Sequence, residues 1–264
     1  MPESGYAPAA GVDIYWESYG AGDTPLIAVH PGFGLISTIA GLVEALSAQR
    51  RVIAIELQGH GHTADVDAPF SYEAFGEQIA GLAAHLGLEQ IDLFGYSLGA
   101  GACLRAAIQH PSLIRRLVSV SAPFRRDGWF PEVRAQFEQL GSGMFQMMRN
   151  APMYQAYVDV APDPDAFPTL MDKTGALQRT PYDWGAEIPQ ITARTLLVYA
   201  DADSIPPSHA AEFYALLGGG LRDAGWNPPT PPHNQLAVLS GRTHYDIGVA
   251  PELPAIVERF LSTA

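Results

Sequence analysis

The pentapeptide Gly95-Tyr96-Ser97-Leu98-Gly99 constrains the fold of this chain more than any other stretch. An apolar run, residues 91–94, precedes it and is typical of a short buried strand, and the small residues 100–104 that follow open a predicted helix. Glycines around the serine let strand and helix meet at a sharp turn with a strained central residue. Ser97 would then stand exposed at the end of the strand, beside the N–H of Leu98. The pattern predicts a nucleophilic serine, with an incidental serine in a tight turn as the alternative.

Short apolar runs alternate with helical segments along most of the chain. The strand-like runs are residues 12–17, 26–29, 52–55, 91–94, 117–120, 196–199 and 236–239. The helical segments are roughly residues 37–47, 72–86, 98–109, 209–217 and 255–261. The first run alternates like a half-exposed edge strand, whereas the continuous runs suit strands that are covered on both faces. This order predicts an α/β fold with a doubly wound, mainly parallel sheet.

The alternation stops between residues 124 and 189, where no strand-like run occurs and methionines and aromatic residues are frequent. This segment is interpreted as a helical insertion between two core strands that forms a cap. Most of its apolar side chains are expected to pack the cap onto the sheet, and a minority to line an apolar substrate pocket. The candidate pocket residues are Phe33, Phe124, Met144, Met148, Tyr154 and Trp184. A second irregular segment, 218–234, is interpreted as a mobile surface loop.

A serine hydroxyl needs a general base, and the base needs a carboxylate that orients it. Of the eight histidines, His244 is the best candidate for the base, because it lies in the loop after the last strand-like run. Asp201 and Asp203 both follow the preceding run. Asp203, further into the loop, is preferred as the orienting acid, and the other carboxylate would brace the turn. Asp127 is a third candidate.

The segment His30-Pro31-Gly32-Phe33-Gly34 follows another strand-like run and supplies candidates for a second oxyanion donor beside the N–H of Leu98. Proline has no N–H, so the donor is Gly32, which is preferred, or Phe33. Each such donor typically stabilises a transition state by roughly 3 to 4 kcal/mol.

A second glycine-rich turn, residues 58–63, contains His60 and His62. Two histidines two residues apart without a clear third ligand make a poor zinc site. The turn is therefore predicted to be structural, and no metal site is predicted in the chain.

Composition limits the choice of partners and compartment. The formal net charge is −13, which argues against nucleic acid or an anionic membrane as a partner. No apolar run reaches the roughly 18 residues of a membrane span, and residues 1–5 lack the features of a signal peptide. The single cysteine, Cys103, excludes an internal disulfide and is expected to be a buried thiol. We expect a cytoplasmic monomer or homodimer that binds a small molecule.

The chain resembles the α/β-hydrolase superfamily. The resemblance rests on five features that occur in the family's order: the His30 segment, the turn at 58–63, the serine turn, the Asp203 loop and His244. The resemblance runs from about residue 12 to the C-terminus and is greatest to capped esterases, enol-lactonases and C–C bond hydrolases. Relatives usually carry His-Gly at His30-Pro31, arginine at Gln58 and glycine at Ala200.

The resemblance implies an eight-stranded sheet, with a core at residues 1–123 and 190–264 and a helical cap at 124–189. It also implies a catalytic triad of Ser97, Asp203 and His244 and no cofactor. The expected activity is hydrolysis of a carboxylic ester or lactone of a small to medium, fairly apolar substrate. One alternative is C–C bond hydrolysis of a diketone, for which Arg125, Arg126 and Arg149 would have to bind a carboxylated tail. A non-catalytic ligand-binding protein on the same scaffold is a remote alternative.

Overall fold

The computed structural model describes residues 2–223, 225–226 and 233–263. The strands are β1 (Glu3–Ala9), β2 (Val12–Tyr19), β3 (Leu26–Val29), β4 (Val52–Glu56), β5 (Ile91–Tyr96), β6 (Ile114–Val120), β7 (Arg194–Ala202) and β8 (Gln235–Thr243). The α-helices are α1 (Ala40–Ser47), α2 (Tyr72–His85), α3 (Leu98–Gln109), α4 (Pro131–Gln139), α5 (Phe145–Met148), α6 (Pro152–Val158), α7 (Phe167–Arg179), α8 (Pro207–Leu216) and α9 (Leu253–Ser262).

The eight strands form one sheet in the order β1-β2-β4-β3-β5-β6-β7-β8. β2 pairs antiparallel with both β1 and β4, and all other neighbours pair parallel. Every residue of β3, β4 and β5 is buried, which explains their continuous apolar sequences. The predicted doubly wound, mainly parallel sheet is confirmed.

The first predicted strand is not at the edge of the sheet, contrary to the prediction, because β1 covers it. β2 still alternates between buried and exposed residues because one of its faces lies toward solvent. The sequence of β1 gave no strand signal, since it contains a glycine and a proline and has no β-branched residue. Pro8 is tolerated there because an edge strand has a free side that needs no N–H donor.

Helices cover both faces of the sheet. On one face, α1 and α9 pack through Leu42, Leu46, Val257 and Phe260 against a cluster that includes Phe94 of β5. On the other face, α2, α3 and α8 belong to a second and larger cluster. Because the core strands run parallel, their carboxyl ends lie together at one edge of the sheet, where loops can meet.

Between β6 and β7, residues 124–189 form four α-helices, α4 to α7, with 3₁₀ turns between them. An ion pair of 2.6 Å between Lys173 of α7 and Asp65 ties this segment to the loop after β4. Cys103 is buried in α3, as expected. Of the predicted surface loop 218–234, residues 224 and 227–232 lie outside the described residues. No helix in the described part of the chain is long and apolar enough to cross a membrane.

Candidate active site

Ser97 lies at the sharp turn between β5 and α3. Its φ of 54° is in the left-handed region, which a non-glycine residue adopts only where the surroundings enforce it. A Cβ on Gly95 would overlap the backbone of Ala100, and a Cβ on Gly99 would overlap the carbonyl oxygens of Val29 and His30. The two glycines therefore let α3 approach β5 and β3, as the sequence pattern predicts.

The structure brings the side chains of Ser97, His244 and Asp203 into one chain of hydrogen bonds. The Oγ atom of Ser97 lies 3.0 Å from Nε2 of His244. The Nδ1 atom of His244 lies 3.0 Å from Oδ1 of Asp203. With a proton on Nδ1, the imidazole donates to the carboxylate and leaves Nε2 free to accept the proton of the serine hydroxyl.

Asp203 is held in place by other groups besides His244. The Ser121 hydroxyl donates to its Oδ2 at 2.5 Å, and the N–H groups of Ala200 and Ser204 donate at 3.0 and 2.8 Å. Burial alone would raise the pKa of Asp203, but the interaction with His244 and the Ser121 hydrogen bond outweigh it and lower the pKa below its ordinary value. The carboxyl therefore stays ionised at neutral pH.

Asp201 does not contact His244 but braces the turn at the ends of β7 and β8. The strand register shifts between Ala200 and Ala202, and the Asp201 carboxylate accepts the N–H groups of Gly241 and Arg242. Asp127, the third candidate acid, instead pairs with Arg134. The two carboxylates of one loop are thus divided between bracing the loop and contacting the histidine.

Tyr96, within the pentapeptide, also positions the histidine, which the sequence analysis missed. Its hydroxyl donates to the carbonyl oxygen of His244. A Cβ on Gly248 would overlap the Tyr96 ring, so the glycine lets the loop after β8 pack against it. The Trp129 ring stands edge-on to the His244 imidazole, with ring centroids 5.3 Å apart. The tyrosine beside Ser97 in the pentapeptide was the sequence feature from which this contact could have been predicted.

The candidate oxyanion donors come from two tight turns. The Gly34 N–H donates to the Pro31 carbonyl at 2.9 Å, and Phe33 has a φ of 59°. Gly32, Phe33 and Leu98 all line the cavity that contains Ser97. None of these three residues donates its N–H to another described residue. Their amides are therefore available to a charge that develops on a substrate oxygen.

A buried histidine, His30, contacts the turn that contains Gly32 and Phe33. The Nδ1 atom of His30 lies 2.8 Å from the Pro31 carbonyl, and its Nε2 accepts the Leu57 N–H at 3.1 Å. Burial, with His60 nearby, lowers the pKa of His30 to about 3. Burial lowers the pKa of His60 to about 4, and that of His209, also close to Arg125, to about 4. All three imidazoles are therefore neutral at pH 7.

We expect the free energy of unfolding to fall by about 2 kcal/mol per buried neutral histidine between pH 7 and pH 5. These folded pKa values lie below the unfolded value of about 6.5. As the pH falls, the unfolded chain therefore binds protons first, and stability present above pH 6.5 is lost. The free energy of unfolding is measured by urea titration at several pH values between 5 and 7. It should depend less steeply on pH in His209→Gln, where the amide oxygen can still accept the N–H of Phe124. His85→Gln, at an exposed position, is the control and should keep the wild-type dependence of stability on pH. The same pH dependence in both variants would contradict a contribution from buried, neutral His209.

A cavity of about 340 Å³ lies over Ser97 and His244. Apart from the candidate oxyanion donors, its walls come mainly from the segment between β6 and β7 and from the loop after β8. The lining residues from these two segments are Trp129, Val133, Gln136, Phe137, Leu140, Met153, Thr174, Gln178, Tyr245 and Val249. Among the described residues that line the cavity there is no lysine, arginine, aspartate or glutamate. Within the described residues, no group of three or more candidate metal ligands is found.

Of the six predicted pocket residues, the structure places only Phe33 in the wall of this cavity. Phe124 is fully buried and stacks on His209. Trp184 is buried against Tyr72 and Tyr182. The other three pack as partly buried side chains against the core: Met144, Met148 and Tyr154. None of these five side chains lines the cavity, so the prediction that they do is corrected.

Comparisons with known proteins agree with the fold of this chain. A family model described as the alpha/beta hydrolase fold matches residues 25–152. The 2-hydroxymuconate semialdehyde hydrolase of Pseudomonas sp. strain CF600 is 35% identical over 114 residues, 42% of this chain and 40% of that protein. The chain spans 30% to 40% of the length of several curated relatives that it matches.

Other similarities extend over nearly the whole chain. The pimeloyl-[acyl-carrier protein] methyl ester esterase of Yersinia pseudotuberculosis is 27% identical over 252 residues, 88% of this chain and 90% of that protein. The solved structure of E-2-(acetamidomethylene)succinate hydrolase has a TM-score of 0.75 at 20% identity and covers 100% of both chains. The family model, the strand order and this solved structure show the α/β-hydrolase fold, in agreement with the resemblance drawn from the sequence.

Proposed function

We propose that this protein is a serine hydrolase that cleaves a carboxylic ester or lactone through an acyl-enzyme on Ser97. The observation that carries the proposal is the hydrogen-bonded chain from Ser97 through His244 to Asp203, which opens into an apolar cavity. The candidate oxyanion amides at Gly32, Phe33 and Leu98 lie in the same cavity. A non-catalytic binding protein would not need this proton-transfer geometry.

In the proposed reaction, Oγ of Ser97 attacks the carbonyl carbon while Nε2 of His244 takes the hydroxyl proton. Asp203 stabilises the imidazolium, and the amide donors bind the tetrahedral oxyanion. Collapse of this intermediate breaks the C–O bond, and His244 returns the proton to the leaving alkoxide. His244 then deprotonates a water molecule, which attacks the acyl-enzyme and releases the acid and free Ser97.

The cavity favours a neutral substrate. An ionised tail would lose its water shell on entering an apolar cavity that offers no opposite charge. The three arginines considered for a carboxylated tail are engaged elsewhere, since Arg125 pairs with Glu212, Arg126 with Glu138, and Arg149 bonds to Gln146. None of them lines the cavity. Ester or lactone hydrolysis is therefore favoured over hydrolysis of a carboxylated diketone.

We further propose that residues 124–189 act as the cap of this site. Val133, Gln136 and Phe137 of α4 and Thr174 and Gln178 of α7 line the cavity opposite Ser97 and His244. The cap would therefore determine the size and polarity of the accepted substrate, while the ends of β5, β7 and β8 carry the chemistry.

The test measures hydrolysis of p-nitrophenyl esters from acetate to decanoate, with simple lactones and a carboxylated diketone in parallel. We expect turnover of esters or lactones with short to medium chains and little turnover of the diketone. A fluorophosphonate probe should label the wild type and the control variant Ser208→Ala, whose serine is exposed on α8, but not Ser97→Ala. Labelling that persists in Ser97→Ala would contradict the assignment of the nucleophile, and turnover confined to the diketone would contradict the substrate class.

A further inference from the structure

Two side chains on α7 line the cavity, and each has an oxygen atom without a hydrogen-bond partner among the described residues. The Gln178 side chain also hydrogen-bonds to the Tyr72 hydroxyl. Thr174 is 2% exposed and Gln178 is 7% exposed. The Oγ1 atom of Thr174 and the Oε1 atom of Gln178 have no hydrogen-bond partner among the described residues. The two residues are four apart in the helix and therefore share one face of it. We call them the α7 polar pair.

The neighbouring charged side chains of α7 are partnered. Lys173 donates to Asp65 and to the Val66 carbonyl, and the Asp172 carboxylate accepts the N–H of Ser142. Arg179 donates to the carbonyl of Leu140. Buried polar atoms without a partner are rare, and each costs about 1 to 3 kcal/mol. The unpaired atoms occur at the positions where α7 lines the cavity, so their missing partner is expected to enter through the cavity.

The position of α7 is fixed, so the pair is held ready for a ligand. The Lys173 contacts tie the helix to the core domain, and those of Arg179 tie it to the end of α4. A Cβ on Gly175 would overlap the Leu140 carbonyl, so the backbones of these two segments are in close contact. A rigid support of this kind lowers the entropic cost of binding a polar group in one orientation.

We propose that the α7 polar pair binds a neutral hydroxyl group of the substrate, so that the preferred substrates are hydroxylated esters or lactones. A hydroxyl group can donate to Oε1 of Gln178 and exchange a second hydrogen bond with the Thr174 hydroxyl, which both donates and accepts. The absence of charged residues from the lining disfavours a carboxylate or an ammonium group at this subsite. The inference rests on the proposed function, because it takes the cavity over Ser97 as the substrate site.

The kinetic test compares esters that differ only by a hydroxyl group. Methyl hexanoate is compared with methyl 3-hydroxyhexanoate and methyl 6-hydroxyhexanoate, and propyl hexanoate with 2-hydroxyethyl hexanoate. We expect at least one hydroxylated ester to show a kcat/KM about tenfold above its partner, mainly through KM. Gln178→Leu and Thr174→Val should each bring this ratio toward one. The ratio is taken within each variant, so a loss of folded protein cancels.

Gln139→Leu is the control, because Gln139 is exposed on α4 and does not line the cavity. It should keep the preference for the hydroxylated ester. A ratio of one in the wild type for every pair, or a preference that survives both α7 variants, would overturn the inference. Loss of ester turnover altogether, or turnover that survives Ser97→Ala, would instead count against the proposed function.

A binding measurement separates the subsite from catalysis. Saturation-transfer NMR on Ser97→Ala should show tighter binding of the same hydroxylated ester than of its partner. Adding Gln178→Leu to that variant should remove the difference. Equal binding of the two esters by Ser97→Ala would overturn the inference whatever the enzyme assays show.

Discussion

Replacing Ser97 by alanine is expected to lower kcat for ester hydrolysis by about 10⁶. The alanine removes the atom that forms the acyl-enzyme, while the cavity and the three candidate oxyanion amides remain. KM should therefore change far less than kcat. The measurement is steady-state hydrolysis of the best p-nitrophenyl ester at matched protein concentration, with the folded fraction checked by thermal unfolding.

A trace of another esterase in the preparation would mask so large a loss of kcat. The active sites of the wild type are therefore titrated. One equivalent of a fluorophosphonate should inactivate one equivalent of protein. Activity in Ser97→Ala above about a tenth of the wild-type value would exclude Ser97 as the nucleophile.

The second large effect is expected at Asp203, where Asp203→Asn should lower kcat by about 10⁴. An asparagine that donates its amide N–H toward Nδ1 of His244 would favour the tautomer with the proton on Nε2. That nitrogen could then no longer accept the proton of Ser97. The variant also lacks the negative charge that stabilises the imidazolium. The measurement is kcat with the same ester.

Asp201→Asn is the matched control, because Asp201 lies two residues away and accepts only groups of the neighbouring turn. It should lower kcat by less than about tenfold, since it removes the brace and not the partner of the histidine. The reverse ranking of the two variants would transfer the orienting role to Asp201.

Much of the core, and the meeting of Ser97, His244 and Asp203 at one edge of the sheet, could be predicted because the signals are local. Buried parallel strands need continuous apolar runs, and the serine turn needs glycines at fixed positions. That Asp203, and not Asp201, contacts His244 also followed from their places in the loop. β1 could not be predicted, because its pairing with β2 stabilises a sequence with little preference for a strand.

The walls of the cavity were beyond prediction for a different reason. Phe124 and Trp184 lie in the same segment as Trp129 and Phe137, and nothing in their local sequence shows which aromatic rings meet the sheet. Which rings line the cavity depends on how α4 and α7 pack. This packing involves contacts between residues far apart in the chain, such as Gly175 and Leu140. Sequence patterns report which residues are buried better than what they are buried against.

The position of β8 determines how long the protein would stay active under stress. His244 directly follows this strand, yet among the described residues β8 lies at the edge of the sheet beside β7, and one of its nine residues is buried. Edge elements with few buried contacts open before the rest of a fold. The operational lifetime of the catalyst would then be set by detachment of this strand and not by melting of the core. Substitutions that secure the β7–β8 pair would extend working life without changing the nucleophile or the cavity.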